Sequence, residues 1–467
     1  MMKTIISNKI RIYDCSIELF WWCQDNLVIT NPEYATLMRI GKEETIIRKN
    51  ISETLKLYSE YNGGQDIEVP FGVLHAIWPF IKDNKYELRF NDNGEVIDKN
   101  LKITTPLYDY QEEAVLRMLS AKGGVLQASA GSGKTQIGID LIRRLGRNAL
   151  WLCGKTDLLN QTIARIHQLY PSIPVGKITD GEVKMVENGI TVSTVQTLVH
   201  VDREIYANKF DVVIVDECHA CVSAPTKMRM FGKVVGNIAA RYKYGLTATP
   251  SRSDTMIKAM YTILGCKQDG SFAPLHIIEK DKTNTLTAKY IKVELPTPFV
   301  YETLNEDGTF NHKGLVDFLS TYEPRNKAIV DNVITALEKH KKQLVLCLRK
   351  EQCEIINKML TDRGIKSVLL TGNIPNGKRK KILNSVVDWN VIVGTVSLVK
   401  EGLDIPELSC LHWAMVIGDK VATIQSAGRI ERVCEGKPEP EIYDYIDVNY
   451  PYCIGKGKKR VKFLEAR

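Results

Sequence analysis

From about residue 107 onward, short β-branched runs alternate with amphipathic stretches, and several of the runs are apolar on both faces. Residues 212–215 read VVIV and residues 344–348 read LVLCL. A strand without a polar face must be covered by helices on both sides, which is the situation of a parallel strand in an α/β sheet. One series of candidate strands covers Gly124–Ala128, Ala149–Cys153, Ile190–Thr194, Asp211–Asp216 and Tyr244–Thr247. A second covers Gln343–Leu348, Ser367–Leu370, Asn390–Gly394, His412–Ile417 and Ile442–Asp447. Each series predicts a doubly wound, parallel-sheet lobe of the α/β class. Residues 1–100 differ: the segments IRIYDCSIEL, YELRF and GEVID, with turn signals at Asn62-Gly63-Gly64 and Asn91–Gly94, predict a small β-rich or α+β accessory domain. The expected units are 1–104, 105–272 and 273–455, followed by a basic tail, 456–467. Residues 265–322 have weak periodicity and read as the connection into the second lobe.

The length of 467 residues fits about three folding units at ~150 residues each. Hydrophobic residues at 44% and charged residues at 25% exclude a disordered or fibrous chain. No apolar run approaches the ~20 residues needed to cross a bilayer, and the opening has no signal-peptide pattern, so no membrane partner is expected. The 11 cysteines follow no repeating spacing, which predicts free thiols in a reducing cytoplasm. Net charge is +8, yet residues 1–100 hold 12 basic against 15 acidic residues, so the basic excess lies downstream. Lys456–Arg467 alone carries six basic residues and one acid. Such an excess permits polyanion binding through counterion release; a solvated tail is the plainer reading. Phe20, Trp21 and Trp22 can stack on bases, but aromatics in so small a domain read first as core.

The strongest local signal is Ala128-Ser129-Ala-Gly131-Ser132-Gly133-Lys134-Thr135, directly after an apolar strand and before the helix-compatible QIGIDLIRRL. It fits GxxxxGK[ST], with Ala128 in place of the first Gly. Gly131 and Gly133 allow successive backbone N–H groups to turn around phosphate oxygens, at the positive end of the following helix. Lys134 would reach the β/γ-phosphates, and the Thr135 hydroxyl would ligate Mg²⁺. Next, DVVIVDECHA ends an apolar strand in Asp216 and Glu217. Asp216 is placed to coordinate Mg²⁺ and Glu217 to polarise an attacking water as general base. Cys218-His-Ala-Cys221 is half of a zinc or redox motif, but no second CxxC or HxxxH completes it.

Further on lie Thr247-Ala-Thr-Pro250 with Arg252, then Thr395 to Asp404, then Gln425-Ser-Ala-Gly428-Arg429-Ile-Glu-Arg432. The last sits at the predicted start of a helix, where Arg429 and Arg432 would share one face and could serve as arginine fingers.

As a set, these motifs resemble a superfamily 2 helicase or translocase. ASAGSGKT resembles motif I, DECH motif II, TATP motif III, Thr395–Asp404 motif V and QSAGRIER motif VI. LWLCGKTDLLNQ, with Lys155, resembles motif Ia, and Ser193-Thr194-Val-Gln196-Thr197 resembles motif Ib. Leu107-Tyr108-Asp-Tyr110-Gln111 is similar to the adenine-reading element, in which Gln111 would hydrogen-bond adenine beside Tyr108. The order spans residues 107–435 and looks most like the UvsW-type phage DNA helicases, with RecG-like and XPB-like relatives. Gly154-Lys155 departs from the Pro-Thr-type pair usual in relatives.

The resemblance implies two RecA-like lobes, with ATP and Mg²⁺ as cofactors. Ser129, Ser132, Gly402 and Asp404 would join the nucleotide site; Lys155, Thr194, Gln196, Thr197, Arg349 and Thr395 would grip nucleic acid. It also implies a monomeric motor acting on forked, branched or single-stranded DNA in a bacterial or phage-infected cytoplasm. An RNA helicase would share the same motor. A nuclease-coupled translocase would need a nuclease partner, and a P-loop switch would not need the paired second-lobe arginines.

Overall fold

Strand runs without a polar face occupy the middle of two parallel sheets. The computed structural model describes residues 3–129, 131–154, 156–248, 256–279, 286–371, 389–397 and 405–466. Two compact units divide the chain, residues 1–282 and 283–467.

The first unit contains an eight-stranded sheet. In spatial order its strands are Glu182–Lys184, Val175–Thr179, Ile190–Thr194, Ala149–Cys153, Val212–Asp216, Tyr242–Thr247, Gly123–Ala128 and His276–Ile278. Every neighbouring pair is parallel except the outermost hairpin, Val175–Thr179 with Glu182–Lys184. Alternate side chains feed two cores. Trp151, Ile214 and Leu246 enter one, and Leu150, Leu152, Val213 and Val215 enter the other. Helices cover both faces, as doubly apolar strands require.

Residues 3–90 form an α+β module in the same unit. Its sheet runs Ser59–Tyr61, Asp66–Pro70, Lys9–Ile12, Lys3–Ile6 and Lys85–Leu88. Phe20 and Trp22 pack against its core, but Trp21 is 60% exposed, so the core reading fails for that residue. The module is fused to the lobe at backbone level. A Cβ on Gly72 would fall 2.5 Å from the Thr262 carbonyl oxygen, and Cys266 N–H donates to the Gly72 carbonyl at 2.8 Å. The Asn8 amide donates to the Gly236 carbonyl at 2.8 Å. Beyond the module, the Asn91 amide donates to the carbonyls of Ala207 and Phe210, and Asn93 N–H donates to the Asp211 carboxylate. Ile97 belongs to the first lobe's core, with Leu101 and Ile103 against it. The expected boundary at 104 therefore lies too late, because 91–104 pack as part of the lobe.

The second unit has a six-stranded, all-parallel sheet: Lys289–Leu295, Glu441–Asp447, Cys410–Trp413, Gln343–Cys347, Val391–Thr395 and Ser367–Leu370. Two fully buried ion pairs brace its penultimate edge. Arg325 Nε meets Asp447 Oδ1 at 2.9 Å, and Arg460 Nη2 meets Asp444 Oδ1 at 2.6 Å. Arg460 lies on the helix Pro451–Glu465. The expected basic tail is thus a docked helix, because Arg460, Gly457 and Cys453 turn inward.

The expected boundary at 272 also moves. His276–Ile278 joins the first sheet beside Gly123–Ala128, and Lys289–Leu295 is an edge strand of the second. Edge position explains why KYIKVEL alternates polar with apolar and lacks the doubly apolar signature. The run expected at His412–Ile417 pairs instead over Cys410–Trp413. Among the described residues, no helix is long and apolar enough to cross a membrane.

One core residue conflicts with its surroundings. Lys243, inside Tyr242–Thr247, is 1% exposed, and its ammonium nitrogen has no hydrogen-bond partner. Burial pulls its pKa down to about 7. The unfolded amine titrates near ~10.4, so between these values the unfolded chain holds more protons and stability rises with pH. Lys243→Met should raise stability at neutral pH by about 1 kcal/mol or more and flatten that rise. Urea unfolding midpoints across this pH window check it; an unchanged slope would clear Lys243 of the role.

Candidate active site

The loop after Gly123–Ala128 turns through left-handed glycines, Gly131 at φ 85° and Gly133 at φ 80°. Gly133 caps the helix Lys134–Leu145. A Cβ at Gly133 would overlap the Gln111 amide, so both the backbone angle and the packing require glycine there. Within the loop, the hydroxyl oxygens of Ser129 and Ser132 are buried without hydrogen-bond partners. Lys134 Nζ rests on the carbonyls of Ala128 at 3.1 Å and Ser129 at 3.4 Å. Thr135 follows in the helix's first turn. Orphaned hydroxyls, inward-turned backbone and a lysine on main-chain carbonyls fit a phosphate-bearing ligand.

Asp216 and Glu217 stand at the carboxyl end of Val212–Asp216, one strand away from the loop strand, with Tyr242–Thr247 between them. Glu217 adopts φ 48°, ψ 45°, a left-handed conformation rare for its type, and its N–H donates to Asp216 Oδ1 at 3.0 Å. Strain of this kind persists only where the surroundings hold it. Glu217 Oε1 lies 4.0 Å from Lys134 Nζ, and its Oε2 lies 3.4 Å from His219 Nδ1. Burial and the Glu217 charge push the Asp216 carboxyl well above the usual range, with Lys134 opposing them. Such a pair accommodates a divalent cation, which would favour both carboxylates in ionised form. Were such a cation bound, Asp216 and the Thr135 hydroxyl would be placed to hold it.

His219 joins this site although the motif letters give it no role. Its Nδ1 hydrogen-bonds Thr247 Oγ1 at 2.8 Å, joining the acid pair to the first residue of TATP. The letter H of DECH was the available signal. Cys218 is buried against Gly245, where a Cβ would meet its sulfur at 2.7 Å, so it serves close packing behind the acids.

Tyr108 and Tyr110 stack with ring centroids 5.6 Å apart and planes 13° from parallel. Tyr108 is exposed, while the buried Gln111 donates Nε2–H to Ser132 O at 2.8 Å and accepts from Tyr108 N–H at 3.0 Å. Gln111 therefore clamps the loop to the helix Asp109–Ala121.

The remaining candidates separate. Thr194 caps the helix Val195–His200, accepting from Thr197 N–H at 3.0 Å, and the two hydroxyls bond each other at 3.1 Å. Both are buried in that cap and do not stand free for a strand; Gln196 between them is exposed. In the second unit Arg349 pairs with Asp317 at 2.8 Å, and Thr395, ending its strand, lies 2.7 Å from Ser397 through their hydroxyls. Arg429 belongs to the helix Lys420–Ile430, in its last turn and not at a helix start. Arg432 lies beyond that helix, which corrects the expectation of one shared helix face. Lys155, Arg252, Gly402 and Asp404 lie outside the described residues.

Comparison with known proteins bears on this arrangement. Residues 104–252 match the family model of the type III restriction enzyme res subunit, and residues 325–434 match that of the helicase conserved C-terminal domain. The chain belongs to the superfamily 2 helicases. It is 25% identical to a probable helicase of Escherichia phage T5 over 365 residues, 75% of each chain. It is also 25% identical to a DNA 3'-5' translocase of the XPB type from Sulfurisphaera tokodaii, over 82% of this chain and 89% of that one. The structure of S. cerevisiae Dbp5 bound to RNA and ADP BeF3 aligns at TM-score 0.54 and 14% identity, covering 85% of this chain and 92% of that one. Both lobes are accordingly RecA-like, and the protein is an ATP-dependent helicase.

In such a helicase, Glu217→Gln should retain nucleotide binding but slow hydrolysis ~10²–10⁴-fold, the range of a lost general base. Lys134→Ala should abolish hydrolysis, because no other described cation lies in the loop. Phosphate release and nucleotide affinity, measured side by side, separate the two effects; near-wild-type turnover in Glu217→Gln would contradict the base assignment.

Proposed function

We propose that the protein is an ATP- and Mg²⁺-driven DNA motor, working as a monomer, that unwinds, anneals and branch-migrates forked or branched DNA. The observation that carries this reading is the fusion of the N-terminal module to the lobe bearing the phosphate loop. Gly72 and Asn8 make that junction, the first accepting from Cys266 N–H and the second donating its amide to the Gly236 carbonyl, so force on the module is borne directly by the nucleotide-binding lobe. The module also exposes Trp21, Trp78 and Tyr86, which can engage unstacked bases at a junction. The XPB-type relative is named a DNA translocase, in keeping with DNA as the substrate.

Bound Mg²⁺ would neutralise charge on the β/γ-phosphates. Lys134 and the loop N–H groups hold the phosphates, Glu217 takes the proton of the attacking water, and His219 keeps Glu217 in register with Thr247. Arg429 and Arg432 are the proposed stabilisers of charge on the transferring phosphoryl group. Backbone contacts dominate the nucleic-acid grip, so little base specificity is expected.

ATPase stimulation across single-stranded, duplex, forked and four-way DNA, and matched RNA, tests the reading. Forked and four-way DNA should stimulate most strongly. Stimulation by RNA above every DNA form would replace the reading with that of an RNA helicase.

A further inference from the structure

The second unit exposes aromatic rings that its cores do not use. Phe299 is 52% exposed, Tyr301 83% and Phe310 42%. They are nevertheless firmly held. The Tyr450 hydroxyl donates to Pro298 O at 2.9 Å and accepts from Val300 N–H at 3.2 Å, and Thr297 donates to Asp447 at 2.6 Å. An antiparallel bridge joins Leu304 to Phe310. Phe299 sits 5.7 Å from the Tyr450 ring and 6.3 Å from Tyr301, while Phe310 lies 4.9 Å from Tyr452. The result is a pre-ordered aromatic shelf.

Tyr452 opens the helix Pro451–Glu465, and Lys456 Nζ lies 4.7 Å over its ring. Lys456, Lys459 and Lys462 follow at three-residue steps, ~4.5 Å of rise apart. Lys459 and Lys462 are exposed, and no carboxylate among the described residues pairs with them. Buried Arg460, bonded to Asp444, locks this helix so that the lysine side faces outward. Glu302, Glu306 and Asp307 lie on the shelf segment, so attraction for an anion comes from the helix.

Position strengthens the case. The shelf follows Lys289–Leu295, Tyr452 follows Glu441–Asp447, and Lys456 and Lys459 lie against Gly418 in the loop after Cys410–Trp413. These are carboxyl ends of the parallel sheet, the edge where such sheets bind ligands. Arg349 follows Gln343–Cys347, and Thr395 ends Val391–Thr395, on the same edge. From Gln343–Cys347 to Lys289–Leu295 is three strands, about 14 Å at ~4.8 Å per strand.

We propose that the shelf and the lysine side of Pro451–Glu465 form a single-strand binding surface, which receives unpaired bases on Phe299, Tyr301 and Phe310 and phosphates on Lys459 and Lys462. This rests on the reading of the chain as a nucleic-acid motor and names a path for the strand beyond Arg349 and Thr395. Stacking and phosphate contact leave different signatures, since only the second releases counterions.

Fluorescence anisotropy with oligo(dT) of increasing length, at several salt concentrations, tests it, with melting curves confirming that each variant is folded. Tyr301→Ala combined with Phe310→Ala should weaken binding of long oligo(dT) roughly tenfold or more, the size of lost stacking, at unchanged salt slope. Lys459→Ala with Lys462→Ala should reduce the slope of log affinity against log salt by about 1.4, ~0.7 per lost phosphate contact. Tight wild-type binding that neither pair alters overturns the shelf and leaves the motor reading standing. Equal losses on blunt duplex overturn the stacking. Wild-type protein that binds neither oligo(dT) nor oligo(U) sinks both the shelf and the motor reading.

Discussion

A parallel sheet delivers the carboxyl ends of all its strands to one edge, and the chemistry of this protein depends on that constraint. Three neighbouring strands of the first unit, Gly123–Ala128, Tyr242–Thr247 and Val212–Asp216, end respectively in the phosphate loop, Thr247 and the acid pair. This order brings Lys134 within 4.0 Å of Glu217 while the intervening strand carries Thr247. The two-sided apolar cores serve this geometry: they fix strand order and register, and the edge loops then inherit their positions.

The edge also links recognition to response. Glu217 is held in a left-handed conformation by Asp216 and approached by His219, which hydrogen-bonds Thr247. The Ser129 and Ser132 hydroxyls are buried without partners and burial raises the Asp216 pKa, a balance that phosphate and a cation would complete.

Much of this was legible in the residues themselves. Ala149–Cys153 and Ile190–Thr194 match their expected limits because central strands are buried throughout. Lys289–Leu295 was missed because an edge strand needs only one apolar face. The motif letters located the phosphate loop and the acids, but they could not reveal that Thr194 and Thr197 spend their hydroxyls on a helix cap. Nor could spacing alone place Arg432 beyond the end of Lys420–Ile430, since i and i+3 share a face only where the helix continues. The lysine run at the C-terminus looked like a tail because the partner of Arg460, Asp444, is 16 residues away on another element.

The central claim is that hydrolysis at Glu217 drives movement along nucleic acid. Its most direct measurement is translocation of single molecules along stretched DNA, with ATP consumption recorded under the same conditions. The account predicts directional movement that scales with hydrolysis, and bound but stationary complexes for Glu217→Gln. DNA-stimulated hydrolysis by the wild-type protein without any displacement along the DNA would contradict it.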